Sequence, residues 1–307
     1  MSDDDRRSVD GGRADGGQVD GGRADGGQVD GGRADGGQVD GGRAVDARTV
    51  GLTGFFTLTK REILRFLRRP TNTFAPPFIT NVLYFSVFGV ILGERVGTIA
   101  DVPYILFILP GLIVLGAVSN SFENASFSIF HGRWNEYIHE VLTSPLSYTN
   151  MVWAYVLSAA TRGLLVGVLI AALGWGIISG LYQPVPVEEP LYLVAFLVVI
   201  TLLFASLGVI GGLVAHDYDH LTVMNQFILR PLVFFGAVFY SLDDLTPLLR
   251  DISLLNPMVY MVNGVRYGFL GVAEVDPRVS LAVLSGMTAV AIAIDVVMFK
   301  RGYGLTD

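Results

Sequence analysis

The sequence predicts an all-α integral membrane protein. It would have six transmembrane helices, an N-terminal interfacial amphipathic helix, a cytoplasmic amphipathic helix between spans, and external re-entrant helices before the last span. Three observations carry this. Hydrophobic residues make up 51% of the 307-residue chain and charged residues 16%, against roughly 45–50% and about 25% in ordinary globular domains. Six apolar runs each approach or exceed the roughly 20 residues that a helix needs to cross about 30 Å of hydrocarbon. Between them lie polar or basic stretches with helical periodicity, the pattern of helices lying in a membrane face.

Residues 1–50 stand apart as a Gly/Asp-rich tail, with 11 acidic and 7 basic side chains. From Asp10 to Ala44 the chain repeats a five-residue unit, Asp-Gly-Gly-[Arg/Gln]-[Ala/Val]. No face of it buries enough apolar area to offset chain entropy, which predicts disorder. Calcium-binding β-helix repeats instead run in nines with a large apolar residue per turn. A phosphate-cradling loop ends in Gly-Lys-Ser/Thr, which occurs nowhere in the chain. No apolar h-region follows Arg6-Arg7, so these arginines are not a twin-arginine signal. The net charge of −7 divides into −4 on the tail and −3 on residues 51–307, which gives no support for nucleic-acid binding. Cysteine is absent, which excludes disulfides and thiol chemistry.

Phe55–Arg69 is amphipathic. Phe56, Ile63, Phe66 and Leu67 share a side, and Lys60, Arg61, Arg65, Arg68 and Arg69 supply five positive charges, suiting a helix in an anionic headgroup layer of the bilayer. Pro70 ends it. The six spans are expected at residues 74–92, 104–122, 148–178, 191–214, 221–239 and 279–299. Pro76-Pro77 and Arg230-Pro231 interrupt the first and fifth, which a span tolerates where neighbours satisfy the freed carbonyls. With the N-terminus cytoplasmic, that side holds Lys60, Arg61, Arg65, Arg68, Arg69, Arg133, Lys300 and Arg301, and the far side Arg95, Arg250, Arg266 and Arg278. The positive-inside bias therefore predicts both termini inside. The last external connection, from Ser241 to Arg278, is rich in Leu, Ile, Val and Met and broken at Asn256-Pro257, as expected of short helices dipping into the outer leaflet.

Phe130–Pro145 is a polar island between two apolar runs. At helical spacing Trp134, Tyr137, Ile138, Val141 and Leu142 form one apolar stripe, and Arg133, Asn135, Glu136, His139 and Glu140 cover the other side. Ser144-Pro145 stops the helix, because the residue before proline is pushed out of the α region. Such a helix lies flat at the membrane face and shows charge to a soluble partner, or is simply solvated.

In this order the parts resemble the ABC-2 type membrane permeases, most closely their YadH-like branch, over about Lys60 to Arg301. Three pieces carry the resemblance: WNEYIHEVLTSP at 134–145 running into ATRGLLVG at 160–167; PLVFFGAVF at 231–239 with Leu-Thr-Pro at 245–247; and NPMVYMVNGVRYGFLG at 256–271. It implies that Arg133, Trp134, Asn135, Glu136, Tyr137, His139 and Glu140 belong to a coupling helix seated in a groove of a separate ATPase, with Glu140 at the family's acidic position. It further implies that the Lys60–Arg69 helix is the interfacial connecting helix. The permease would work as two copies in the plasma (inner) membrane. It would bind no cofactor itself, the ATP being held by the partner subunit, and would export a bulky or amphipathic substrate. The Gly-Thr that often precedes the coupling helix in the family is not evident, and the tail has no counterpart there.

Arg162 lies well inside the third span, where a charge costs about 2.5–3.5 kcal/mol or more and is usually paired or wet. It reads as a strut, with Glu123 or Asp295 as candidate partners, or as a substrate contact. His216-Asp217-Tyr218-Asp219-His220 places two histidines on one helix face. It lacks the Glu after the first His and the third ligand of zinc hydrolases, and reads as a polar cytoplasmic turn. A membrane-embedded lipid transferase would need clustered His, Asp or Glu at one interface. A secondary transporter would need an ionisable relay inside the spans, for which Arg162, Arg230 and Asp295 are few. The chain carries no catalytic set, and an enzyme is not expected.

Overall fold

The computed structural model describes residues 47–99, 101–181 and 184–305, most of them helical. Helix α1 (Ala47–Leu67) leads through Arg69 into α2 (Pro70–Tyr84), which continues as a π-helical segment, Phe85–Ile91, and a last turn, α3 (Gly93–Val96). A two-residue hairpin, Thr98–Ile99 against Val102–Pro103, returns the chain to α4 (Tyr104–Trp134). Short α5 (Ile138–Leu142) precedes α6 (Tyr148–Leu181) and α7 (Pro190–Val214). Then come α8 (Tyr218–Val223), a second π-helical segment (Met224–Leu229), and α9 (Arg230–Phe234). A 3₁₀ turn, α10 (Pro247–Leu254), α11 (Pro257–Leu270) and α12 (Pro277–Arg301) complete the chain.

Proline opens α2, α7, α10, α11 and α12, where its missing N–H is one that no helix partner would satisfy. Asn256, Asp276 and Asp217 cap α11, α12 and α8 by accepting backbone N–H bonds, and α11 and α12 end on left-handed Gly271 and Gly302.

Helix α4 is the axis of the molecule. It packs chiefly on α6 and α7 and is buried along nearly its whole length. Close approach rests on small residues. A Cβ on Gly208 of α7 would lie 2.5 Å from the Phe122 carbonyl oxygen, and one on Gly212 would lie 2.6 Å from that of Ser126. This is the glycine-every-fourth packing by which helices associate without a hydrophobic drive.

Among the described residues five helical stretches are long and apolar enough to span a membrane: Pro70–Val96, Tyr104–Trp134, Tyr148–Gly180, Pro190–Val214 and Pro277–Arg301. The run expected at 221–239 is not one of them. It forms the broken α8–α9 stretch, which ends at Phe234, and its chain turns through Ala237 at φ +58°. Pro231 and the π-helical segment shorten it. The tail expected at 1–50 lies outside the described residues except for its last four positions, which α1 includes.

The face of α1 also differs from expectation. Leu58, Glu62 and Phe66 are its buried line, while Phe56 and Leu67 are exposed. A carboxylate takes a place in the apolar contact because two neighbouring arginines neutralise it.

Candidate coupling site

The helix expected across 133–142 is two pieces. Helix α4 runs through Trp134, Glu136 adopts φ +60°, and α5 restarts at Ile138. A positive φ is uncommon for a residue with a Cβ, so the elbow is a built bend. The five-residue stripe is therefore divided. Trp134 closes α4 and is 61% exposed, whereas Ile138 and Val141 of α5 are buried against the bundle.

Arg133 does not join the polar face. Its Nη1 donates to the carbonyls of Gly212, Leu213 and Ala215, each at 2.9 Å. A guanidinium thus sits on the C-terminus of α7, where unsatisfied carbonyls and the helix dipole favour a cation. Asn135, Glu136, His139 and Glu140 remain exposed, and Tyr137 is half-buried with Arg61 5.7 Å from its ring centre. Burial, helped by the negative charge of Glu62, pushes the Tyr137 phenol above its ordinary pKa. Trp134 stacks on Phe130 and meets Tyr218 edge-on, so the 216–220 turn lies beside the elbow. Within that turn Asp217 accepts the His220 N–H and serves as a helix cap.

Sequence reasoning missed Glu62. It accepts from the Ser128 hydroxyl and from Arg61 at 3.0 Å, and it forms an ion pair with Arg65, whose Nε lies 3.1 Å away. Arg65 also donates to the Asn124 carbonyl and side-chain oxygens. These bonds clamp α1 onto α4 above the elbow. The available signal was a lone acid in the stretch Phe55–Arg69, which otherwise carries five basic residues.

Arg162 reaches Asn124 Oδ1 at 3.5 Å and lines a cavity with Glu123, Asn120, Asn81 and Arg230. Asp295, the other partner considered for it, is instead buried on α12 and bonded to Ser206. Glu123 lines the same cavity as Arg162 and accepts a hydrogen bond from Asn225.

The family model described as "ABC-2 type transporter" matches residues 53–270. This chain belongs to that family. The ABC-2 permease is 36% identical over 245 residues to a protein of Escherichia coli (strain K12) named "Inner membrane transport permease YadH", covering 80% of this chain and 94% of that protein. It is 21% identical over 262 residues to "Nodulation protein J" of Neorhizobium galegae, covering 83% and 96%. To "Nodulation protein J" of Rhizobium leguminosarum bv. viciae it is 24% identical over 226 residues, covering 72% and 83%. It is a multi-pass membrane permease.

The permease's long motif at 256–271 now has a physical reading. Asn256 caps α11 and donates to the Leu232 carbonyl. Asn263 exchanges three hydrogen bonds with the backbone of Glu274 and Val275. Gly264 and Gly268 let α11 lie on Phe196 and Leu193 of α7. Arg266 is buried, 3.8 Å from the centre of the Phe107 ring, donating to the Ala237 carbonyl and facing Glu274 at 3.7 Å. Glu274 in turn accepts from the Ser241 hydroxyl and the Leu242 N–H. The motif ties α11, the 237–242 turn and the approach to α12 to the far end of α4.

Proposed function

We propose that this permease is the membrane half of an ATP-driven exporter, moved by a separate ATPase that grips the α4–α5 elbow. One observation carries the reading. The exposed Trp134, Asn135, Glu136, His139 and Glu140 sit on a bend that Arg133 fastens to α7 and that continues directly into α4. A push at a stiff element fixed to the central helix becomes a rigid-body motion of the bundle. The chain has no phosphate-binding loop, so ATP binds to the partner, two copies of which would drive two permeases.

Six crossings, with both termini cytoplasmic, fit this reading. Tyr218 lies against Trp134, and Ser241 bonds Glu274 near the start of α12. The α8–α9 stretch would then make the sixth crossing despite its shortness, with α10 and α11 in the outer leaflet and α1 as the interfacial connecting helix. The name of the Escherichia coli relative favours an inner-membrane location. The substrate class is bulky or amphipathic.

Co-expression of the permease with its ATPase tests the reading. Glu140→Lys should leave permease abundance in the membrane unchanged while transport and substrate-stimulated ATPase activity fall at least tenfold. Normal transport by that variant would refute docking at the elbow.

A further inference from the structure

The cavity beside Arg162 has a volume of about 340 Å³, within the range of roughly 300–1,000 Å³ typical of ligand sites. It lies among α2, α4, α6 and α9, with Arg162 about 21 Å along α6 from Tyr148 at 1.5 Å per residue. Two guanidiniums, Arg162 and Arg230, and one carboxylate, Glu123, line it, leaving an excess of positive charge inside a membrane protein. Leu115, Tyr84 and Phe234 supply apolar wall.

The wall also holds unused hydrogen-bonding capacity. Asn81 is 5% exposed and its Oδ1 has no partner among the described residues. The same is true of Arg162 Nε and, behind Glu123, of Asn225 Oδ1. Buried polar groups are ordinarily satisfied. An unfilled donor on a guanidinium together with an unfilled amide acceptor calls for one ligand that both accepts and donates. The two π-helical segments border this wall, one following Tyr84 and the other containing Asn225. Such segments recur at functional sites.

We propose that this cavity binds the anionic, hydroxyl-bearing head of an amphiphile. Arg162 takes the phosphate or carboxylate, and Asn81 accepts from a hydroxyl of a glycerol or sugar unit. Glu123 keeps the excess charge near one, enough for a monoanion. The apolar wall accommodates the start of the tail. This rests on the reading of the chain as a permease for a bulky or amphipathic substrate and narrows it to anionic heads.

The test uses the full-length permease alone in lipid nanodiscs, exposed to phosphatidylglycerol carrying a photoreactive diazirine in its head. A phosphatidylcholine with the same diazirine serves as comparison. Label should map to residues 72–84 and 115–123 and be at least tenfold stronger for the phosphatidylglycerol probe. Arg162→Gln should remove that preference, and Glu123→Gln, which deletes the opposing charge, should strengthen the labelling. Equal labelling by both lipids, or label confined to the basic residues of α1, overturns the proposal. So does unchanged labelling in Glu123→Gln, which decides the matter even if Arg162→Gln does not fold. No ATPase is present, so a negative result leaves the elbow reading standing, and failure of the Glu140→Lys test leaves this labelling unchanged.

Discussion

Arg266 shows how a single charge is retained in an apolar setting. Its guanidinium lies 3.8 Å from the Phe107 ring centre and faces Glu274, so neither charge is left alone. Removing one partner of such a pair strands the other and costs about 3–5 kcal/mol. Arg266→Met and Glu274→Gln should each lower the unfolding stability of the purified permease by that amount. The double variant should cost clearly less than their sum, whereas additive losses would show that the two do not interact. Arg133 works differently, as a cap. Hydrogen bonds made by charged groups are worth about 1.5–3 kcal/mol, and Arg133→Ala leaves the α7 terminus without its guanidinium. A loss of about 2–3 kcal/mol is expected, read as a lower melting temperature in detergent. Neither role was legible in the sequence, because a residue's type does not tell which carbonyl or ring the fold will bring to it. Arg133 was expected on the docking face; the geometry of the α7 terminus claimed it.

Among the elements, α4 and α7 owe their closeness to missing side chains. Adding one methyl at Gly212 sets it 2.6 Å from the Ser126 oxygen and 2.8 Å from Ile129 Cβ. Overpacking of this kind costs about 1–3 kcal/mol. Gly212→Ala should therefore lower the melting temperature, while Gly176→Ala, with nothing within 4 Å of its added Cβ, should leave it unchanged or raise it slightly, because alanine favours the helix over glycine. Equal shifts in the two would show that the contact at Gly212 carries no cost. The bounds of the spans expected at 148–178, 191–214 and 279–299 were legible to within a few residues, because a run of apolar residues ended by proline or charge needs no tertiary partner to be read. The span expected at 104–122, however, continues to Trp134 as one helix. The elbow was not. A helical stripe from Trp134 to Leu142 and a helix–bend–helix use nearly the same residues, and the positive φ at Glu136 was chosen by the anchoring of Arg133, Ile138 and Val141.

For the whole molecule, the arrangement makes a topological statement that a cysteine-free chain allows to be checked directly. Single cysteines placed at Glu136 and Asp251 should react with a membrane-impermeant maleimide from opposite sides. Asp251→Cys should label in intact cells, and Glu136→Cys should label in full only after permeabilisation. Labelling of both from outside would sink the two-sided arrangement and the cytosolic elbow together.

The sequence by itself determined that this chain lives in a membrane, where its long spans run, and which family it joins. Those properties follow from composition and from runs of neighbouring residues. The tertiary structure decided which charges are spent inside the protein and which are left to act on something else. Glu62 clamps α1, Arg133 caps α7 and Arg266 locks α11, while Arg162 faces a cavity with bonding capacity to spare. The physical reason is that the cost of a charge inside a membrane depends on the atoms within a few ångströms, and in this fold those atoms come from helices distant in the chain.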